Sequence, residues 1–164
     1  MTYKFTKSAE KAIELANKIA IEFGHNYIGT EHLLYGLLKE ASGVASKVLE
    51  NQGITIEQIE EEIYVLVGKN NKIDSNSIVG FTPRTKRVIE NAFREAKKLN
   101  SDFIGTEHLL IGIMREGDSV AVRIMIDLNV NIQKLYNEII KILNEDTINK
   151  DTSEKRNNSS KTLG

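Results

Sequence analysis

The feature that most constrains this chain is that it repeats itself. The segment from Phe5 to Gly68 aligns without a gap on the segment from Phe81 to Asn144, with roughly a third of the paired residues identical. The match peaks at Ile28-Gly29-Thr30-Glu31-His32-Leu33-Leu34, which recurs letter for letter as Ile104-Gly105-Thr106-Glu107-His108-Leu109-Leu110. Whatever folds one copy must fold the other, and units that recur at a fixed period bury their apolar faces against one another.

Each copy reads as four helices with signalled ends. The first begins at Thr6 or Thr82. Behind Thr6, residues Ala9, Ala12, Ile13, Ala16, Ile19, Ala20 and Phe23 fall at three- and four-residue spacings and form one apolar stripe, which Gly24 stops. In the second copy Pro83 occupies the first helical position and Asn100 replaces the glycine stop. The second helix is expected to start with Thr30 or Thr106 as its cap. The third runs from about Gly43 to Gln52, and its counterpart from about Ser119 to Leu128. Thr55 with Gln58 makes a capping box for the fourth helix, whose partner begins at Asn131. No sustained alternation of β-branched and polar residues suggests a half-buried sheet. The expected fold is all-α, two tandem four-helix repeats.

The expected domain spans 1–144, with repeats at about 5–68 and 81–144. Residues 69–80 form a polar connection too short to hold the repeats apart, so they should pack together. From 145 to 164 the chain is rich in Asn, Lys, Ser and Thr and poor in large apolar residues, the composition of a disordered tail or linker. A chain ending this way looks like one domain of something larger.

Composition narrows the function. A chain of 164 residues has room for one ordinary domain or two very small ones sharing a core. Its net charge of −1, with Lys and Arg spread along the sequence, provides no field to gather a polyanion, so nucleic acid is not an expected partner. The absence of cysteine excludes disulfides, thiolate zinc sites and a Cys nucleophile together. The N-terminus has no apolar signal core, and no apolar run approaches the roughly 20 residues of a membrane span. A cytoplasmic location and no membrane partner are expected.

Glu31-His32 and Glu107-His108 invite a catalytic or metal reading. Adjacent helical residues diverge by about 100°, however, and no HExxH pair is present among His25, His32 and His108. A histidine near a helix start more simply bonds to backbone and orders the loop. No GxSxG elbow, GxxxxGK[ST] loop or GxGxxG turn occurs, so neither hydrolysis nor nucleotide binding is expected. No catalytic residue and no metal site is assigned.

Glu31 and Glu107 stand at helix starts, where a carboxylate favours the helix dipole by roughly 0.3 to 1 kcal/mol. That explains one glutamate, not a block kept twice while its flanks drift. A carboxylate can take a guanidinium in a two-pronged bond, and N–H groups and hydroxyls at a nearby helix start can hold an anion. A ligand carrying both charges suits such a place, provided a cleft opens beside each acid.

The duplicated FT…IGTEHLL…G pattern, with ungapped GTEHLLxG octets at Gly29 to Gly36 and Gly105 to Gly112, resembles the N-terminal Clp repeat domain of the ClpC-type Clp unfoldases over roughly Phe5 to Asn144. The resemblance implies a pseudo-twofold arrangement of the repeats, tethered to ATPase rings that feed the Clp peptidase in protein quality control and degradation. The domain itself would hold no cofactor, ATP belonging to the rings. Implied partners are MecA-like adaptor proteins and arginine-phosphorylated substrates. Glu31 and Glu107 would receive guanidinium groups, and Thr6 and Thr82 would help to hold phosphates. Lys7-Ser8 in one copy faces Pro83-Arg84 in the other, which puts equal affinity of the two pockets in question. Rival readings are a stand-alone helical interaction module, a helical DNA-binding regulator, and a hydrolase built on the Glu-His pairs. The charge balance disfavours the second, and the missing nucleophile or metal set the third.

Overall fold

A computed structural model describes residues 2–146. Helices α1 (Lys7–Glu22), α2 (Thr30–Lys39), α3 (Val44–Asn51) and α4 (Ile56–Val67) form the first repeat. Helices α5 (Pro83–Lys98), α6 (Thr106–Glu116), α7 (Val120–Asp127) and α8 (residues 132–146) form the second. Two-residue strands β1 (Tyr27–Ile28) and β2 (Gly80–Phe81) precede α2 and α5. The expected tail lies outside the described residues except for 145 and 146, which continue α8.

The caps act largely as their residue types dictate. Thr6 and Thr82 accept the N–H groups of Ala9 and Thr85, Thr55 and Gln58 close a reciprocal box, and Asn131 accepts from Lys134. Gly24 and Asn100 stop α1 and α5 in the left-handed region, at φ 72° and 58°.

One expectation is corrected. Thr30 and Thr106 do not cap the second helices: Gly29 and Gly105 hold the cap positions, and the threonines are the first helical residues. Their hydroxyls act across the molecule instead. Thr30 Oγ1 accepts the Ala121 N–H that starts α7, at 3.1 Å, and Thr106 Oγ1 accepts the Ala45 N–H that starts α3, at 3.2 Å. Each repeat thus caps a short helix of the other, as a pseudo-twofold axis requires.

The extended residues exchange in the same way. Ile28 pairs in parallel with Phe81, and Phe5 forms the equivalent bridge with Ile104. Thr82 N–H donates to the Ile28 carbonyl and Thr6 N–H to that of Ile104. These pairings are too short to leave a sheet signature in the sequence.

Helices α2 and α6 lie at the centre. Thr30 to Leu38 are all buried, and Leu33, Leu34, Leu109 and Leu110 belong to one core that spans both repeats. The last glycine of each octet permits the closest crossing: a Cβ on Gly36 would lie 2.0 Å from the Ala12 carbonyl oxygen, and one on Gly112 would lie 2.5 Å from that of Val88. The connection from 69 to 80 runs back along α1, where Asn70 and Ile73 N–H donate to the carbonyls of Phe23 and Ile21. Among the described residues no helix is long and apolar enough to cross a membrane.

Candidate functional site

The strand exchange decides which residues meet. Because Ile28 pairs with Phe81, the start of α5 is brought beside the start of α2, and Thr82 of the second repeat shares a cleft with Glu31 of the first. That cleft encloses about 580 Å³. Tyr27 and Glu31 enter it from the α2 side, Leu66 and Val67 from the end of α4, Arg84 from α5, and Ser119 and Arg123 from α7. Three helix N-termini converge there, each carrying partial positive charge. The corresponding exchange, Phe5 with Ile104, sets Thr6 beside the start of α6, which carries Glu107.

Glu31 is nearly sealed, with 3% of its surface exposed. Its carboxylate folds back over Gly29, where an added Cβ would lie 2.2 Å from Oε1. Burial raises its pKa, and a bond from its own backbone N–H works in the opposite direction. Glu107 repeats this fold over Gly105 and is half-buried. The acids therefore turn inward, but the cavity lies against Glu31, as a ligand site requires.

The histidines are structural. Gly29 N–H donates to Nδ1 of His32 at 2.8 Å, so that ring carries its proton on Nε2. Nε2 faces Nδ1 of His25 at 2.8 Å and donates to it, and the Nε2–H of His25 donates to the Gly68 carbonyl at 2.9 Å. This relay ties the start of α2 to the end of α4, two walls of the cleft. Desolvation and the neighbouring His25 lower the pKa of His32 to about 3. His108 caps Gly105 N–H in the same manner, but Ser101 stands where the first repeat has His25. Among the described residues no cluster of His, Asp and Glu is arranged to hold a metal.

The octet's persistence now has structural reasons: Gly29 leaves room for Glu31, Thr30 caps the opposite repeat, His32 caps its own helix, the leucines fill the core, and Gly36 lets α1 approach. Only the glutamate has no structural duty beyond its own backbone. What favours a ligand is therefore the cleft rather than the repetition. Sequence reasoning missed Tyr27, Arg123 and the His25 relay, since their roles depend on contacts between segments distant in sequence.

Comparison with known proteins agrees with this architecture. The family model described as the Clp repeat (R) N-terminal domain matches residues 4–128. The chain is 40% identical over 140 residues to the Bacillus subtilis negative regulator of genetic competence ClpC/MecB, covering 85% of this chain and 17% of that protein. It is also 40% identical over 161 residues to the ClpC ATP-binding subunit of the Clp protease from Staphylococcus aureus strain USA300, covering 98% of this chain and 19% of the relative. The chain thus spans less than a fifth of the length of these relatives. Among solved structures, the N-terminal domain of the chaperone ClpD from Arabidopsis thaliana superposes with a TM-score of 0.73 at 29% identity, covering 85% of this chain and 97% of that one. By repeat pattern, fold and sequence, this chain belongs to the Clp repeat N-terminal domain family.

Proposed function

We propose that this domain is the substrate- and adaptor-receiving module of a Clp-type ATP-dependent unfoldase, and that its two notches take the phosphoarginine side chains of marked proteins. Glu31 and Glu107 accept the guanidinium, and Thr82 and Thr6, at the helix starts opposite them, stand on the phosphate side. The observation that carries the reading is the cleft that sets one buried carboxylate beside Thr82, two arginines and convergent helix N-termini. A ligand with a cation next to a dianion matches that separation of charge better than either charge alone. The domain binds and does not catalyse, and the ATPase rings, peptidase and MecA-like adaptors belong to the full-length assembly.

Calorimetry with free phosphoarginine, using arginine and phosphoserine as controls, tests the assignment. Heat with phosphoarginine alone, lost in the Glu31→Ala, Glu107→Ala double variant while its helical circular dichroism is retained, is the expected result. No heat at millimolar ligand, or binding kept by a folded double variant, removes it.

A further inference from the structure

The two notches differ in what already occupies them. Glu40 and Glu116 are equivalent residues at the ends of α2 and α6, but their carboxylates are held differently. Glu116 is drawn toward α5 by Arg87, whose Nε lies 2.7 Å from Oε1, and by Arg84 at 3.7 Å. No carboxylate folds over the start of α7, whose Val122 and Ala121 N–H groups are capped by Ser119 and Thr30 and which lines the cleft.

In the first repeat the positions of Arg84 and Arg87 are taken by Ser8 and Lys11. Ser8 bonds to Ser42 at 2.9 Å, and Lys11 pairs with Glu14 at 4.0 Å. Among the described residues no ion pair holds Glu40. Its carboxylate turns instead over the start of α3, where Oε1 accepts from Gly43 N–H at 2.5 Å and Oε2 accepts from Ser42 N–H at 3.1 Å and from Ser42 Oγ at 2.6 Å. An added Cβ on Gly43 would lie 2.8 Å from Glu40 Oε1 and 2.3 Å from Thr106 Oγ1. That places the carboxylate beside the residue preceding Glu107.

We propose that the two notches are functionally unequal: the Glu31 cleft receives a phosphate-bearing ligand without competition, whereas at the Glu107 notch the ligand's phosphate must displace the chain's own Glu40 carboxylate, which acts as an internal anion. The Ser42 and Gly43 N–H groups and the Ser42 hydroxyl, donors that would meet a phosphate at the start of α3, are already engaged by that carboxylate. The charge balance adds to the difference. Arg84 and Arg123 face the Glu31 cleft, while Ser8 and Lys47 hold the equivalent places, and an ammonium cannot offer the guanidinium's planar pair of donors. The identity of the ligand as phosphoarginine rests on the function proposed above, but the inequality concerns anions in general.

Two probes keep these ideas apart. Phosphoarginine calorimetry is expected to give one strong equivalent, abolished by Glu31→Ala and kept by Glu107→Ala, with the second site at least about tenfold weaker. Glu40→Ala removes the internal anion, and Ser8→Arg supplies the missing guanidinium that would draw Glu40 away. Either should bring the second site to within a few-fold of the first. Inorganic phosphate followed by amide NMR should shift Ser119 and Val120 at lower concentration than Gly43 and Val44, and both substitutions should close that gap. Two equal sites in the unmodified chain, or a second site unmoved by both substitutions, would overturn the inequality. Absence of phosphoarginine heat from every chain, with the phosphate order preserved, would remove phosphoarginine as the ligand and leave the inequality standing.

Discussion

Acid should weaken this fold through one identifiable ring. His32 is fully buried, its Nδ1 is an acceptor for Gly29 N–H, and its pKa is lowered from 6.5 to about 3, chiefly by desolvation. A histidine that is harder to protonate when folded binds its proton first in the unfolded chain. Stability is therefore fully present above pH 6.5 and is lost as pH falls from 6.5 toward 3. The linkage relation gives a loss of about 2 kcal/mol between pH 7 and pH 5, and about 3 kcal/mol by pH 4, from this ring alone. His108 is lowered by the same cause and adds in the same direction. Glu31 acts oppositely, since acid relieves the cost of burying its charge. Comparison with His32→Gln cancels both. The glutamine can still accept from Gly29 N–H but does not titrate, and severing the link to His25 should cost about 1–3 kcal/mol at pH 7. Urea denaturation at fixed ionic strength, followed by circular dichroism from pH 7 to pH 4, should show the two chains converging on acidification. If both lose stability in parallel, His32 is not the titrating group, and a His32 imidazole NMR signal titrating above pH 5 would say the same.

Gly36→Ala should destabilise the domain by about 1–3 kcal/mol in urea despite alanine's better helix propensity, because the new methyl meets a backbone carbonyl that cannot rotate away. Thr30→Val keeps shape but orphans the Ala121 N–H, and a loss of about 1–3 kcal/mol is expected. The Thr30→Val, Thr106→Val pair should depart from additivity, since both caps hold the same interface between repeats. Gly29→Ala forces Glu31 from its seat at a cap cost of roughly 1 kcal/mol. Calorimetry should find phosphoarginine affinity reduced far more than the melting temperature.

The helices, their caps and the shared core were legible in the sequence because they follow from local patterns. A threonine before an apolar stripe, a glycine or asparagine after it, and a box from Thr55 to Gln58 act within one turn of chain. Glu31, Glu107, Thr6 and Thr82 could be singled out by repetition and resemblance, but not paired. That Glu31 shares its cleft with Thr82 depends on Ile28 meeting Phe81 across the repeats, a contact with no local signal. Thr30 misled for a related reason: a threonine beside a glycine at a helix start looks like a cap, and only packing reveals that its hydroxyl serves the opposite repeat. The difference between Glu40 and Glu116 is subtler still, since the same residue at the same register is drawn toward α5 by two arginines in one copy and left to turn over the start of α3 in the other. Sequence alone determined that this chain is a duplicated helical domain with acids at two helix starts. Tertiary structure decided which groups face those acids and where the Glu40 and Glu116 carboxylates turn, because a site's charge is set by its nearest neighbours in space.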